Sequence, residues 1–285
     1  MIAITGATGQ LGRLVFHRLL QTVPAAQLVA VVRDPAKAAD LAKQGVTVRA
    51  GDYNDPAALD RAVAGVERLL LLSSSEVGKR VAQHRNAIEA ARRQRVGLIV
   101  YTSLLHADVS PLNLAGEHRA TEALLAASGV PHVILRNGWY TENYTASVAP
   151  AVAHGAFFGS AGSGRISSAA RADYADAAAK IVTGSLTPAQ AIYELAGDTA
   201  YTLADLAAEI SRQTGRTIPY RDLPEADYRA ALIGAGLPDW LAAGLASWDV
   251  GASQGALFDD SRQLSRLLGH PTTPLATSVK AALKA

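Results

Sequence analysis

The first thirteen residues constrain the fold of this chain more than any other stretch. Residues 2–5 (IAIT) predict a short buried strand, and glycines follow at Gly6, Gly9 and Gly12. In a strand–turn–helix unit the first glycine permits a sharp turn. The second lets the backbone approach a pyrophosphate, and the third lets the helix pack closely on the strand. Because helix-start N–H groups favour phosphate, the motif predicts a dinucleotide site, with an empty glycine-rich turn as the alternative.

Composition narrows the class of protein. The chain has 285 residues, of which 49% are hydrophobic and 18% charged, and its net charge is +2. The basic residues are spread along the sequence, so nucleic acid is not the expected partner. Without cysteine, disulfides and thiolate catalysis are excluded. No apolar run is long enough to span a bilayer, and the first strand leaves no room for a signal peptide, so we expect a cytoplasmic location.

Strand-like and helix-like segments alternate through the first half of the chain. Further apolar strands are predicted at residues 27–32, 47–50, 67–72, 97–102 and 131–136. This alternation predicts an α/β fold, a Rossmann-type doubly wound parallel sheet, as an NADP-binding domain over residues 1–150. Residues 151–285 contain a glycine-rich loop at 154–164 and shorter elements. We predict that they form a smaller mixed lid and substrate region, interleaved with the Rossmann core.

Arg33 is the second informative position, because it ends the predicted second strand about 20 residues after the glycines. A carboxylate at this place accepts the 2′-hydroxyl of NAD, whereas arginine offers a fork of donors suited to a 2′-phosphate. Arg33, with Lys37 as a helper, therefore favours NADPH. Asp34 leaves two alternatives open, since its carboxylate could pair with Arg33 or bind the ribose itself.

Polar segments follow two further predicted strands. Ser73, Ser74 and Ser75 follow the strand at 67–72, and the segment 137–144 (NGWYTENY) follows the strand at 131–136. Ligands bind at the carboxyl ends of parallel strands. The three serines suit a wall beside the ribose and nicotinamide, although an ordinary turn is an equal alternative. The aromatic segment is the candidate wall between nicotinamide and substrate, with a core role for Trp139 as the competing interpretation.

The sequence lacks the motifs of several catalytic classes. It has no His-Glu-x-x-His spacing and no Gly-x-Ser-x-Gly elbow, so we expect neither a metal site nor a serine hydrolase. None of its nine tyrosines is followed four residues later by lysine, the pair that assists proton transfer in many Rossmann reductases. A ketone needs such an acid to accept hydride, whereas a quinone delocalises the charge. The absence therefore favours a quinone substrate.

Several longer segments resemble the NmrA-like branch of the atypical short-chain dehydrogenases/reductases, and within it the bacterial NADPH:quinone oxidoreductases. They are residues 1–12 (MIAITGATGQLG), 72–78 (LSSSEVG), 101–108 (YTSLLHAD), 135–140 (LRNGWY) and 251–260. The glycine motif is shared by a very large superfamily, whereas SLLHAD and RNGWY are far more specific. The resemblance extends over nearly the whole chain.

The resemblance implies a set of residues that bind NADPH. They are Gly6, Ala7, Thr8, Gly9, Gln10, Leu11, Arg33, Ser73, Ser74, Ser75, Asn137, Gly138, Trp139, Tyr140, Thr141, Glu142 and Ala169. The chain departs from the expected pattern around the last of these. It reads Ser-Ser-Ala-Ala at 167–170 where Ala-Ser-Ala-Thr is expected. A side-chain contact to the cofactor at Ala169 therefore stays open.

The implied reaction is two-electron reduction of a quinone by direct hydride transfer from NADPH, without bound flavin or metal. The quinone is expected near Trp139 and Tyr140, and the proton has three candidate sources: Tyr140, His106 and solvent. One alternative is a non-catalytic NADP(H)-sensing regulator that acts on a protein partner. Another is a reductase of a different conjugated carbonyl. The sequence leaves a homodimer open.

Overall fold

The structure, a computed structural model, describes residues 1–184 and 191–284, which fall into two compact units. The first unit is made of the segments Met1–Asp108, Leu114–Asn137 and Ala172–Leu195. The second is made of Val109–Asn113, Gly138–Arg171 and Ala196–Ala285. The chain therefore leaves the first unit three times, at residues 109–113, at residues 138–171 and after residue 195, and the predicted boundary at residue 150 falls within the second of these segments.

A seven-stranded sheet forms the first unit. Its strands are β1 (Ile2–Thr5), β2 (Leu28–Val32), β3 (Thr47–Ala50), β4 (Arg68–Leu71), β5 (Leu98–Leu104), β6 (His132–Asn137) and β8 (Ile192–Leu195). The order is β3-β2-β1-β4-β5-β6-β8, and every neighbouring pair is parallel. The chain runs outward from β1 to β3 and then restarts beside β1 at β4. This reversal confirms the predicted doubly wound sheet and places its switch point between β1 and β4.

Helices follow the strands of the first unit. They are α1 (Gln10–Leu19), α2 (Ala39–Lys43), α3 (Pro56–Ala62), α4 (Arg80–Arg93), α5 (Ala115–Ser128) and α8 (Arg171–Thr183), whose first residue belongs to the second unit. Alternate strand residues such as Ala3, Leu69 and Tyr101 form one core with α3, α4 and α5. All five residues of β2 are buried. Burial on both faces is typical of a parallel sheet and explains the continuous apolar runs in the sequence.

The regular structure of the second unit consists mostly of helices. Its two short strands, β7 (Phe157–Gly159) and β9 (Tyr220–Asp222), pair in parallel. Its helices are α6 (Thr141–Thr145), α7 (Val148–His154), α9 (Leu203–Thr214), α10 (Glu225–Gly234), α11 (Asp239–Ser253), α12 (Gln263–Leu268) and α13 (Leu275–Ala282). Strand β7 lies in the segment predicted as a glycine-rich loop, and β9 lies among the shorter elements predicted after it. Three-residue strands are too short to give a period-2 signal.

Candidate functional site

The turn between β1 and α1 has the geometry of a phosphate cradle. Gly6 has a φ of +60°, in the left-handed region, and its carbonyl oxygen accepts the Gly9 N–H at 2.9 Å. A Cβ on Gly12 would lie 2.4 Å from the same oxygen and 2.9 Å from the Cα of Ala7. Gly9 is the N-cap of α1 and brings no side-chain oxygen to the first-turn N–H groups. These groups are therefore available to an anion.

Arg33 extends from the carboxyl end of β2 with a side chain that is 67% exposed. Its Nη1 lies 3.2 Å from Oε1 of Glu76, in the segment after β4. Asp34 does not pair with Arg33 in the structure. Its carboxylate accepts the Ala36 N–H at 3.0 Å and caps the short turn that follows. The carboxylate paired with Arg33 in the structure thus comes from Glu76, which the sequence analysis did not single out.

The segment after β4 is held by buried groups. The Ser73 N–H donates to Oγ1 of Thr102 and the Ser74 N–H to Nε2 of His84, both at 2.9 Å. Burial, and secondarily the charge of Arg80, lowers the pKa of His84 to about 3. The ring is therefore neutral near pH 7, and its Nε2 can act as an acceptor. Nε of Arg80 also donates to the Ser74 carbonyl at 2.6 Å.

Glu117 on α5 holds the far end of the same segment. Its carboxylate accepts the backbone N–H groups of Gly78 and Arg80, each at 3.1 Å. Its role in the structure is to order a loop 37 to 39 residues away in sequence, which helical spacing cannot predict.

Asn137 at the end of β6 carries a polar atom suited to a ligand. The residue is only 5% exposed, and its Oδ1 accepts no hydrogen bond from the residues that the structure describes. Leaving a buried acceptor unsatisfied costs about 1–3 kcal/mol. The carboxamide N–H of a nicotinamide would satisfy it. Together with the glycine cradle, this orphaned oxygen shows that the first unit fits a dinucleotide.

His106 lies two residues beyond β5 in a strained conformation. Its φ is +51°, which is uncommon for a residue with a side chain. The preceding residue, Leu105, donates its N–H to the Asn137 carbonyl at 2.9 Å. The His106 N–H donates to Oε2 of Glu194 at 2.8 Å, and Nδ1 of the ring lies 3.6 Å from the same oxygen. Glu194 therefore orients this candidate proton donor beside Asn137.

Arg136 anchors Glu194 and the carboxyl end of β6. Its guanidinium binds Glu122 through two contacts, at 3.0 and 2.7 Å, and its Nη1 lies 2.8 Å from both Asp108 and Glu194. These bonds, above all those to Glu122, raise the pKa of Arg136. Arg136 and Glu194 are direct partners in the register of β6 and β8. The arginine is 7% exposed, so its contacts with Glu122 and Glu194 lie largely inside the first unit, whereas Asp108 is exposed.

The predicted aromatic segment lies in the second unit. Trp139 is 8% exposed and packs edge-on against Trp248, with ring centroids 5.5 Å apart. Ala169 pairs with this segment by backbone alone: its N–H donates to the Trp139 carbonyl, and its carbonyl accepts the Thr141 N–H at 2.9 Å. Trp139 therefore has the buried environment of the competing core interpretation, while the segment carrying it is fixed next to Ala169.

Tyr140 and Glu142 both contact Arg171. The guanidinium carbon of Arg171 lies 4.7 Å from the centroid of the Tyr140 ring, which is a cation–π distance. The Glu142 carboxylate accepts the Arg171 N–H at 2.9 and 3.0 Å. Glu142 thus fixes the backbone of Arg171 within the second unit. Any role of Glu142 in binding a cofactor would add to this structural one.

A buried carboxylate, Asp249, joins three elements of the second unit. Its Oδ1 accepts the Tyr144 hydroxyl at 3.0 Å, and its Oδ2 accepts the Ser160 N–H at 2.9 Å. Burial raises the pKa of Asp249 to about 6, and the nearby charge of Asp222 adds to the increase. Asp249 follows Trp248 in sequence and therefore lies next to the aromatic pair.

We expect the folded protein to lose stability as pH rises through 6, because burial raises the pKa of Asp249. Its folded pKa of about 6 exceeds the ordinary 3.8. The folded state therefore binds more protons between these values, and stability is lost as pH rises through 6. At about 1.4 kcal/mol per pKa unit, the free energy of unfolding of the wild type should fall by an amount on the order of 2–3 kcal/mol between pH 4 and 7 because of Asp249. Asp249→Asn has no carboxyl group to titrate, so this decrease should be absent. Denaturant unfolding at several pH values measures this, with the exposed Asp239→Asn as control. Parallel pH profiles of wild type and Asp249→Asn would contradict it.

The structure groups the predicted site residues by unit. The first unit holds Gly6 to Leu11, Arg33, Ser73 to Ser75, His106 and Asn137, all at carboxyl ends of neighbouring strands. The second holds Gly138 to Glu142 and Ala169, which the backbone pairing brings together. Across the described residues, no group of three metal-ligating side chains occurs and no helix is long and apolar enough to cross a bilayer.

Comparisons with known proteins agree with this geometry. A family model described as NAD(P)H-binding matches residues 6–185. Quinone oxidoreductase 2 of Escherichia coli K12 is 60% identical over 98% of this chain and 97% of its own length. An NADPH complex of an E. coli NADPH-dependent quinone oxidoreductase superposes with a TM-score of 0.95 at 59% identity, covering 99% and 100% of the two chains. A Citrobacter triphenylmethane reductase with NADP(H) gives 0.94 at 37% identity, covering 99% and 100%.

Proposed function

The chain belongs to the NAD(P)H-binding family, and from this membership we propose that it is an NADPH-dependent quinone reductase. The observation that carries the proposal is the near full-length similarity to quinone oxidoreductase 2 together with the glycine cradle. Bound NADPH would supply a hydride. The reaction as a whole converts a quinone, one hydride and one proton to a hydroquinone. We extend the proposal to a reaction without flavin or metal, carried out in the cytoplasm.

In this proposal, residues of the first unit hold the dinucleotide. The first-turn N–H groups of α1, at Gln10 and Leu11, bind the pyrophosphate, and Arg33 binds the 2′-phosphate. Ser73, Ser74 and Ser75 line the ribose and nicotinamide side, supported by His84 and Glu117. Oδ1 of Asn137 accepts the carboxamide N–H, which gives the buried oxygen the partner that the described residues do not supply.

For residues of the second unit we infer individual roles. Gly138, Thr141, Glu142 and Ala169 contribute contacts to the cofactor, as the family resemblance implies. Trp139 and Tyr140 contact the quinone ring, for which flat apolar surfaces are the suitable partners. The main contribution of the protein is to position the reactants and to exclude water.

The experiment that tests the function follows NADPH oxidation at 340 nm with a simple quinone and no added flavin, with NADH in parallel. Rapid turnover with NADPH preferred supports both the enzyme and the role of Arg33. Tight NADPH binding without turnover of any of several quinones rules out the proposed enzyme and favours the regulator. Turnover of other conjugated carbonyls but not of quinones favours the third alternative.

Two single substitutions distinguish His106 from Tyr140 as the proton donor. If His106 donates, His106→Ala should lower kcat roughly 10²-fold, the lower range for general acid catalysis, while the Kd for NADPH stays unchanged. Tyr140→Phe keeps the ring and its cation–π contact with Arg171, so any loss of kcat reports on the hydroxyl alone. A solvent deuterium isotope effect on kcat checks which variant alters the proton step. Full turnover in both variants would show that solvent is the donor.

A further inference from the structure

Glu76 lies where the proposed function places a negatively charged ligand. Its Oε1 is 3.2 Å from Nη1 of Arg33, and its Oε2 is 3.3 Å from Nζ of Lys79. The side chain of Glu76 is 32% exposed, and the two cationic side chains are 67% and 68% exposed. Glu76 is absent from the set of cofactor residues that the family resemblance implies. Its carboxylate nevertheless contacts the guanidinium assigned to the 2′-phosphate.

The backbone around Glu76 is fixed, whereas its side chain can move. The Glu76 N–H donates to Oγ of Ser74 at 3.1 Å, and Ser74 is itself bonded to His84. On the other side, Glu117 holds Gly78. Only the exposed ends of the Glu76, Arg33 and Lys79 side chains are free of this framework. A change of partners at Arg33 therefore needs side-chain rotation alone.

Lys79 lowers the free-energy cost of such a change of partners. When Arg33 turns to another anion, Oε2 of Glu76 keeps its contact with the Lys79 ammonium. The carboxylate is then not left unpaired. A phosphate monoester carries close to two negative charges near pH 7 and three acceptor oxygens, so it is the stronger partner for a guanidinium. A ribose 2′-hydroxyl has no such charge and cannot displace the carboxylate.

We propose that Glu76 is a specificity-determining residue that competes with the 2′-phosphate of NADPH for the guanidinium of Arg33. The proposal rests on the proposed function, since it takes Arg33 as the residue that reads this phosphate. Binding of NADPH must break the Arg33–Glu76 pair, whereas binding of NADH leaves it intact. Glu76 therefore weakens the binding of NADPH relative to that of NADH.

The test measures Kd for NADPH and NADH by fluorescence titration, without any quinone. Exposed ion pairs contribute about 0.2–1 kcal/mol, so Glu76→Gln should tighten NADPH binding by up to roughly fivefold. Its Kd for NADH should stay within about 1.5-fold of wild type, and added salt should reduce the NADPH effect because it screens the competing charge. Glu89→Gln, which removes a similarly exposed carboxylate paired with Arg92, controls for net charge.

A second background separates competition from simple repulsion. In Arg33→Ala protein the guanidinium is gone, so adding Glu76→Gln should leave the Kd for NADPH unchanged. An equal gain in both backgrounds would overturn the proposal, because Glu76 would then act by charge alone. Weaker NADPH binding in Glu76→Gln would also overturn it, by showing that Glu76 positions Arg33 for the phosphate. Tight NADPH binding without quinone turnover contradicts the proposed function but not this proposal, whereas no NADPH binding contradicts both.

Discussion

Arg33→Ala should weaken NADPH binding by roughly 10- to 100-fold, because hydrogen bonds to a charged group contribute about 1.5–3 kcal/mol. Binding of NADH should change by less than about threefold, since a 2′-hydroxyl forms no ion pair with a guanidinium. The preference for NADPH would then be largely lost. Arg33 extends outward from the end of β2 and is 67% exposed, so removing its side chain creates no core cavity.

Titration of both dinucleotides measures this effect, and steady-state KM values give a second readout. Arg212→Ala is a matched control, because Arg212 is 66% exposed and pairs with Glu209 on α9 of the second unit. It should leave both dissociation constants unchanged. An unaltered NADPH affinity in Arg33→Ala would assign the 2′-phosphate to other residues, with Lys37 the first to examine.

Much of the first unit could be predicted from the sequence because its signals are local. The glycines at 6, 9 and 12 act on the strand and helix that flank them, and the structure places Gly6 at φ +60° and Gly12 against the Gly6 carbonyl. Apolar runs predict buried parallel strands without knowledge of their partners. Alternating strands and helices predict a doubly wound parallel sheet, whereas the order of its strands comes from the structure.

Residues that support the site could not be predicted in the same way. His84, Glu117 and Glu194 act on Ser74, Gly78 and His106, which lie 10, 39 and 88 residues away in sequence. A single sequence carries no signal for such pairs. The helix α6 was missed for a different reason, because five residues are too few to show helical periodicity. Predicted roles of Trp139 to Glu142 in cofactor binding stay predictions.

Arg136→Met should destabilise the folded protein by about 3–5 kcal/mol, the range for removing one partner of a buried ion cluster. Methionine fills similar volume, so the loss comes mainly from the two inner carboxylates, Glu122 and Glu194, which are 12% and 18% exposed. Each would lose its guanidinium partner while remaining largely buried. The third, Asp108, is 61% exposed and can be solvated by water instead.

Guanidinium chloride unfolding measures this change, with Arg92→Met on α4 as a control. Arg92 pairs with Glu89 at the surface, so its loss should cost less than about 1 kcal/mol. Adding Glu122→Gln to Arg136→Met should recover part of the stability, because one stranded carboxylate is neutralised. If Glu122→Gln instead lowered the free energy of unfolding of the Arg136→Met protein further, the ion-cluster explanation would be contradicted. If His106 is the proton donor, Arg136→Met should also lower kcat beyond what its fraction of folded protein explains, because Glu194, which donates no proton itself, accepts the His106 N–H and binds Arg136.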